Sequence, residues 1–204
     1  MHEEVLHVIA KHYNNCNYIH LPVQSGSTRI LKEMNRQHTR EEYMALVDKI
    51  KKIIPDCTIS QDMISGFPTE TEEDHQDTLS LMEYVQYDFG YMFSYSERPG
   101  TMAARKMEDD VPEEVKKRRL QDIVDLQQIL SEKRTKRFVG QTVEVLIEKE
   151  SKKSDKHWSG RNSENMVTVF PKENYKAGDF VMVKISGCTT ATLIGEAVGY
   201  SAMN

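Results

Sequence analysis

Tyr18-Ile19-His20-Leu21-Pro22-Val23-Gln24-Ser25-Gly26-Ser27 is an apolar, strand-like run that breaks into a small polar loop containing a glycine. A helical pattern follows from Arg29. Backbone N–H groups and hydroxyls gathered at the end of a strand can hold a polar ligand. The layout recurs twice. The run through Ile59 and Ile64 ends in Gly66-Phe67-Pro68-Thr69-Glu70-Thr71, and residues 89–95 end in Ser96-Glu97-Arg98-Pro99-Gly100-Thr101. Strands that each finish in a polar loop, separated by helical segments, predict a parallel α/β sheet with the loops on one face. That is the face on which such sheets carry their sites.

The intervening segments agree. Val5, Leu6, Val8, Ile9 and His12 suit an opening helix. Thr39-Arg40-Glu41-Glu42 has the form of a capping box, in which the Thr39 hydroxyl takes the N3 amide and Glu42 reaches back. Tyr43, Leu46, Val47, Ile50, Ile53 and Ile54 then make one stripe at helical spacing, and Pro55 stops it. Thr71-Glu72-Glu73-Asp74 opens another helix with acids in its first turn, where they favour the dipole. Its inner face is Thr78, Leu79, Met82 and Val85. A long helix begins near Pro112, with Leu120, Ile123, Val124, Gln127 and Leu130 as its inner stripe. Lys133, Arg134, Lys136 and Arg137 crowd its last turn, and Gly140 ends it.

The pattern changes at Phe138-Val139-Gly140. Beyond it apolar residues alternate: Val143, Val145, Ile147; Met166, Val167, Val169; Phe180, Val181, Val183, Ile185; Leu193, Ile194, Ala197, Val198. Turn residues separate these runs at Ser154-Asp155, Gly160, Pro171, Gly178-Asp179 and Gly187. Such spacing predicts a small antiparallel β-barrel. Two domains are therefore expected, residues 1–138 and 139–204.

Net charge is −5 over 204 residues, so no global attraction to nucleic acid is implied. No apolar run reaches the ~20 residues that span a membrane, and the first residues have no signal-peptide pattern. A soluble, cytoplasmic protein is expected. Cys16, Cys57 and Cys188 lie far apart and read as small buried hydrophobes rather than as a disulfide or CxxC framework. His38, His75 and His157 show no metal-ligand spacing, and Tyr91, Phe93 and Tyr95 alternate along a strand as packing residues do.

Taken in series, His20-Leu21-Pro22-Val23-Gln24-Ser25-Gly26-Ser27, Met34-Asn35-Arg36, Thr39-Arg40-Glu41-Glu42-Tyr43, Gly66-Phe67-Pro68-Thr69-Glu70-Thr71-Glu72-Glu73-Asp74 and Tyr95-Ser96-Glu97-Arg98-Pro99-Gly100-Thr101 resemble the radical-SAM methylthiotransferases. The tail resembles that family's TRAM domain. The resemblance implies a radical-SAM barrel, S-adenosylmethionine, two 4Fe–4S clusters, and insertion of sulfur with a methyl group into a C–H bond. Thr69 departs from the family, where Gly is commoner. Gly160-Arg161-Asn162-Ser163-Glu164-Asn165-Met166-Val167-Thr168-Val169 is similar to the branch that acts on isopentenylated adenosine next to the anticodon of tRNA. The other branches act on a ribosomal protein or on threonylcarbamoyl-adenosine. The family's CxxxCxxC triad and its further cysteines have no counterpart here. The chain is thus expected to resemble the C-terminal half of such an enzyme, part of a six-stranded α/β barrel plus the TRAM barrel. It is expected to be inactive by itself and to need the N-terminal half as partner. An exposed edge at residues 18–23 would invite self-association or be covered by the first helix. A stand-alone RNA-binding module is the reading from a different class.

The resemblance implies roles by position. Gln24, Ser25 and Ser27 would meet the ribose hydroxyls and methionine carboxylate of S-adenosylmethionine; on the residues alone they are an ordinary tight turn. Ile64, Gly66 and Phe67 would border the adenine, with simple packing the plain alternative. Asp62 faces the same mouth or makes a structural hydrogen bond. Arg36 pairs with a cofactor carboxylate or lies on a helix surface, and Arg98 would face the substrate. Lys149, Lys152, Lys153, Lys156, His157 and Arg161 cluster about one hairpin with Trp158 among them, a combination that can hold phosphates and stack a base. Glu148, Glu150 and Asp155 interleave with them, as on a solvated hairpin. Asn165 reads a base edge or supports a turn. The tRNA anticodon arm is the partner this implies.

Overall fold

The computed structural model describes residues 2–202 and divides into two compact units. The first comprises Ile19–Pro55 and Ile59–Leu130; the second comprises His2–Tyr18, Asp56–Thr58 and the chain from Ser131 onward. Helix α1 (Glu3–Lys11) belongs to the second unit.

The first unit is built on a three-stranded sheet in sequence order, β1 (Tyr18–His20), β2 (Thr58–Ser65) and β3 (Phe89–Ser94). β2 and β3 run parallel, with Asp62 beside Tyr91 and Ile64 beside Phe93. The first strand is shorter than its apolar run. Pro22 has no N–H to give a ladder, and pairing resumes only as a parallel bridge between Gln24 and Met63. Helices α2 (Thr28–Glu33), α3 (Arg40–Ile53), α4 (Glu72–Val85), α5 (Met102–Lys106) and α6 (Glu113–Lys136) fill the connections. The Thr39–Glu42 capping box forms as predicted, and a second one, Thr71–Asp74, opens α4. Ile19, Ile59, Met63, Val47, Ile50, Leu81, Met82 and Ile123 are buried.

The inner stripe of α6 differs from expectation. Leu120 and Val124 are only half-buried, and the buried row reads Lys116, Arg119, Ile123, Gln127, Leu130. Its first turns thus bury two cations, and both have acid partners described below. Tyr91 and Phe93 are 57% and 52% exposed, so they are not packing residues of this unit. Of the three cysteines only Cys57 is buried; Cys16 is exposed.

The second unit carries a closed barrel of β4 (Thr142–Ser151), β5 (Ser154–Arg161), β6 (Val167–Pro171), β7 (Phe180–Cys188) and β8 (Thr192–Tyr200), in the order β4-β5-β6-β8-β7. Four of the pairings are antiparallel, but β6 and β8 run parallel. The wholly antiparallel barrel expected from the alternation cannot close: directions cannot alternate around an odd ring of strands. Phe138, Val145, Ile147, Met166, Phe170, Val181, Val183, Ile185 and Leu193 fill it.

Candidate functional site

The loops after β1, β2 and β3 converge on a cavity of about 430 Å³ in the first unit. Its wall includes Gln24 from the first loop, Arg36 after α2, Asp62 and Ile64 on β2, Phe67 from the second loop, and Phe93, Tyr95 and Arg98 on β3 and the third loop. The volume lies within the ~300–1,000 Å³ range of small-molecule sites. Polar and apolar side chains both line it. Ile64, Phe67 and Phe93 offer carbon surface, with Phe67 edge-on to Tyr95 at 5.2 Å between ring centroids. Asp62 and Glu33 supply carboxylates. Arg36 and Arg98 have no carboxylate partner among the described residues, which leaves two guanidinium forks for an anionic group.

Ser25 and Ser27 point elsewhere. The fully buried Ser25 hydroxyl lies 3.5 Å from the Thr78 hydroxyl and accepts the Ser27 N–H. The Ser27 hydroxyl donates to Asp74 at 2.6 Å and caps α2 by accepting the Ile30 N–H. Their side chains therefore lock the first loop onto α4, and neither residue is among those lining the cavity. Gln24 holds a left-handed backbone (φ 76°) while its N–H and C=O bond Asp62 and Ile64. Gly66 (φ 72°) is needed because an added Cβ would fall on the Lys116 side chain.

The second loop is fixed by ionic contacts that the sequence pattern did not single out. Glu70 accepts the Gly66 N–H at 2.9 Å and pairs with buried Arg119 at 2.9 Å. Arg119 also donates to the Glu70 carbonyl. Burial raises the Glu70 carboxyl above its ordinary range, against the pull of the Gly66 amide and Arg119. Lys116 is bound by Asp109 at 2.5 Å and stands over the Tyr95 ring. Asp74 accepts from Ser27, Thr71 and Arg29, so the first and second loops share one carboxylate. Burial pushes its pKa up, but the hydrogen bonds from Arg29, Ser27 and Thr71 outweigh that and hold it below the usual carboxylate range. A readable signal existed: Lys116 and Arg119 fall at i and i+3 ahead of Ile123 on the α6 stripe.

In the barrel unit, Lys152 and Lys153 occupy the β4–β5 turn and are exposed. Trp158 is half-buried against the barrel core, with Lys172 over its ring at 4.7 Å. Arg161 donates to the Asn165 carbonyl at 2.8 Å and its Oδ1 at 3.0 Å, and Asn165 is left-handed (φ 61°). This pair builds the β5–β6 turn. No grouping of three His, Cys, Asp or Glu side chains among the described residues suits a metal ion, and none of the described helices is long and apolar enough to cross a membrane.

Residues 1–82 match the radical SAM superfamily, and residues 136–198 match the TRAM domain. The chain is 71% identical over its whole length to a protein of Flavobacterium psychrophilum named tRNA-2-methylthio-N(6)-dimethylallyladenosine synthase, of which it covers 42%. It is 72% identical over 98% of its length to a synthase of the same name from Christiangramia forsetii, again covering 42%. The chain therefore spans less than half the length of these curated relatives. Among solved structures it is similar to coproporphyrinogen III oxidase of Escherichia coli, a radical SAM enzyme, with a TM-score of 0.53 and 17% identity over 80% of this chain and 44% of that one. This last likeness concerns the fold alone.

Proposed function

We propose, from the premise that the chain belongs to the radical SAM superfamily and carries a TRAM domain, that it is the part of a tRNA methylthiotransferase that completes the S-adenosylmethionine pocket and grips the substrate. The observation that carries this is the convergence of three strand-end loops on one cavity lined by apolar, anionic and cationic side chains. The residues fit the cofactor. Ile64 and Phe67 flank a flat base, Asp62 accepts from hydroxyl or ammonium donors, and Arg36 takes a carboxylate. Gln24 shapes the first loop, while Ser25, Ser27 and Gly66 act through the backbone they hold. S-adenosylmethionine, with iron–sulfur clusters, supplies the sulfur and methyl insertion that the family resemblance implies. The described residues offer no cluster ligand set, so this chain contributes orientation and water exclusion rather than cluster chemistry.

Arg98 faces the same cavity and would meet the substrate base. The TRAM barrel would hold the anticodon arm through Lys152 and Lys153 at phosphates, with Trp158 and the Arg161–Asn165 turn beside them. The relatives' printed name specifies the dimethylallyl-adenosine product, and the Gly160–Arg161 motif fits that branch. The test is a chimera in which this chain replaces the matching segment of the Flavobacterium psychrophilum synthase, expressed in a strain lacking the enzyme. Mass spectrometry of tRNA nucleosides should show the 2-methylthio-dimethylallyl nucleoside restored, and abolished by Arg36→Ala with Asp62→Ala. A well-folded chimera that leaves the dimethylallyl nucleoside unmodified would overturn the reading.

A further inference from the structure

His20 is the last residue of β1 and is not among the residues lining the cavity, yet it meets one of the cavity's carboxylates, Asp62. Its Nδ1 lies 2.8 Å from the Ser60 hydroxyl, and its Nε2 lies 3.5 Å from Asp62 Oδ2. The ring is edge-on to Tyr91, with centroids 6.4 Å apart. Ser60 is fully buried, so one ring nitrogen is anchored to a fixed hydroxyl. The anchor and the Tyr91 edge together turn the other nitrogen toward Asp62. The remaining ionisable groups of the cavity, Glu33, Arg36, Tyr95 and Arg98, make no ion pair with Asp62 among the described residues. His20 is thus its one side-chain partner there.

We propose that His20 is a positioning residue for Asp62: it fixes the direction in which the carboxylate presents its oxygens to the hydroxyl or ammonium donors of a nucleoside with a cationic amino-acid tail. The proposal rests on the function given above and extends it to a side chain that never touches the ligand. An aspartate with a free χ2 samples orientations that waste its acceptors, and a partner on one oxygen leaves the other aimed into the cavity.

Two amide replacements separate the ring's nitrogens. The Asn amide reaches about as far as Nδ1 and can keep the Ser60 contact, whereas the Gln amide reaches about as far as Nε2 and can keep the Asp62 contact. S-adenosylmethionine is titrated calorimetrically into the full chain and its variants. His20→Asn should weaken binding about fivefold while His20→Gln stays within about twofold, at the low end of couplings between linked sites. Asp62→Asn combined with His20→Asn should lose no more than Asp62→Asn alone. Equal weakening by the Asn and Gln replacements, or losses that multiply in the double variant, would overturn the proposal. If the unaltered chain binds no S-adenosylmethionine, the cofactor reading fails separately. The Asp62 carboxyl carbon resonance then judges His20: displaced in His20→Asn but not in His20→Gln supports positioning, and unmoved in both contradicts it.

Discussion

Glu70→Ala is the sharpest perturbation of the second loop. The side chains of Glu70 and Arg119 are 2% and 6% exposed, and their bond is 2.9 Å long. Truncation leaves the Arg119 guanidinium in a site from which water is excluded and orphans the Gly66 N–H, which now donates to Glu70 Oε1 at 2.9 Å. Breaking one side of a buried pair costs about 3–5 kcal/mol, because a charge is left without compensation. Arg119 keeps the Glu70 carbonyl and a 3.4 Å contact with Glu72, which is half-exposed. The loss should therefore fall at the lower end, about 3 kcal/mol. Urea denaturation followed by far-ultraviolet circular dichroism reads it, since helices α2 to α5 lie in the first unit and α6 for the most part, while the single tryptophan, Trp158, reports the barrel. Glu70→Gln with Arg119→Met should recover most of the loss, because a buried ion pair replaced by neutral groups of similar volume costs little. A Glu70→Ala loss below about 1 kcal/mol, the value of an exposed pair, would refute the reasoning.

Asp74 has a folded-state pKa below its unfolded value, so its stabilisation is present above about pH 4 and is lost as pH falls; Asp74→Asn should flatten the acid limb of a stability–pH curve. Thr69 is a β-branched residue at φ 69°, and Thr69→Gly should stabilise by about 1 kcal/mol in thermal melts despite losing the hydroxyl contact to Arg29. Gly66→Ala should cost about 2 kcal/mol or more, since it adds left-handed strain to a collision with Lys116. Anticodon stem-loop binding should fall with salt at a log–log slope of roughly −2 to −4. Lys153→Glu should weaken all RNAs alike, whereas Arg161→Ala should cost about 1–3 kcal/mol in RNA affinity and also lower the melting temperature, because Arg161 holds Asn165.

Much of this architecture is written in local pattern. The three strand-to-loop transitions, the Thr39 capping box and the α6 boundaries follow from periodicity, caps and breakers, which act over a few residues. Four strands of the barrel are legible as alternation; β5 (Ser154–Arg161), with its polar sequence, and the parallel β6–β8 pair are not, the latter because closure is a property of the whole ring. Gln24, Asp62, Ile64, Phe67, Arg36 and Arg98 line one cavity; the strand-end argument points to the loop positions, whereas Arg36, which follows α2, is named through the resemblance. The ligand role of Ser25 and Ser27 comes from the resemblance, while the residues alone read as a tight turn; a loop hydroxyl carries no mark of its partner, and the partners, Thr78 and Asp74, are some 50 residues away in the chain (separations of 53 and 47). The same distance hid Glu70–Arg119. Tyr91 and Phe93 alternate as core residues do, yet only the tertiary structure shows that neighbour atoms do not cover them.

The central claim is that the cavity takes S-adenosylmethionine, and amide chemical-shift mapping of the full chain tests it most directly. Addition of S-adenosylmethionine should cause saturable shifts concentrated at Gln24, Asp62, Ile64 and Phe67, with the barrel strands unmoved, and Arg36→Ala should weaken the response. Shifts that do not saturate, or that cluster away from this cavity, would contradict the account.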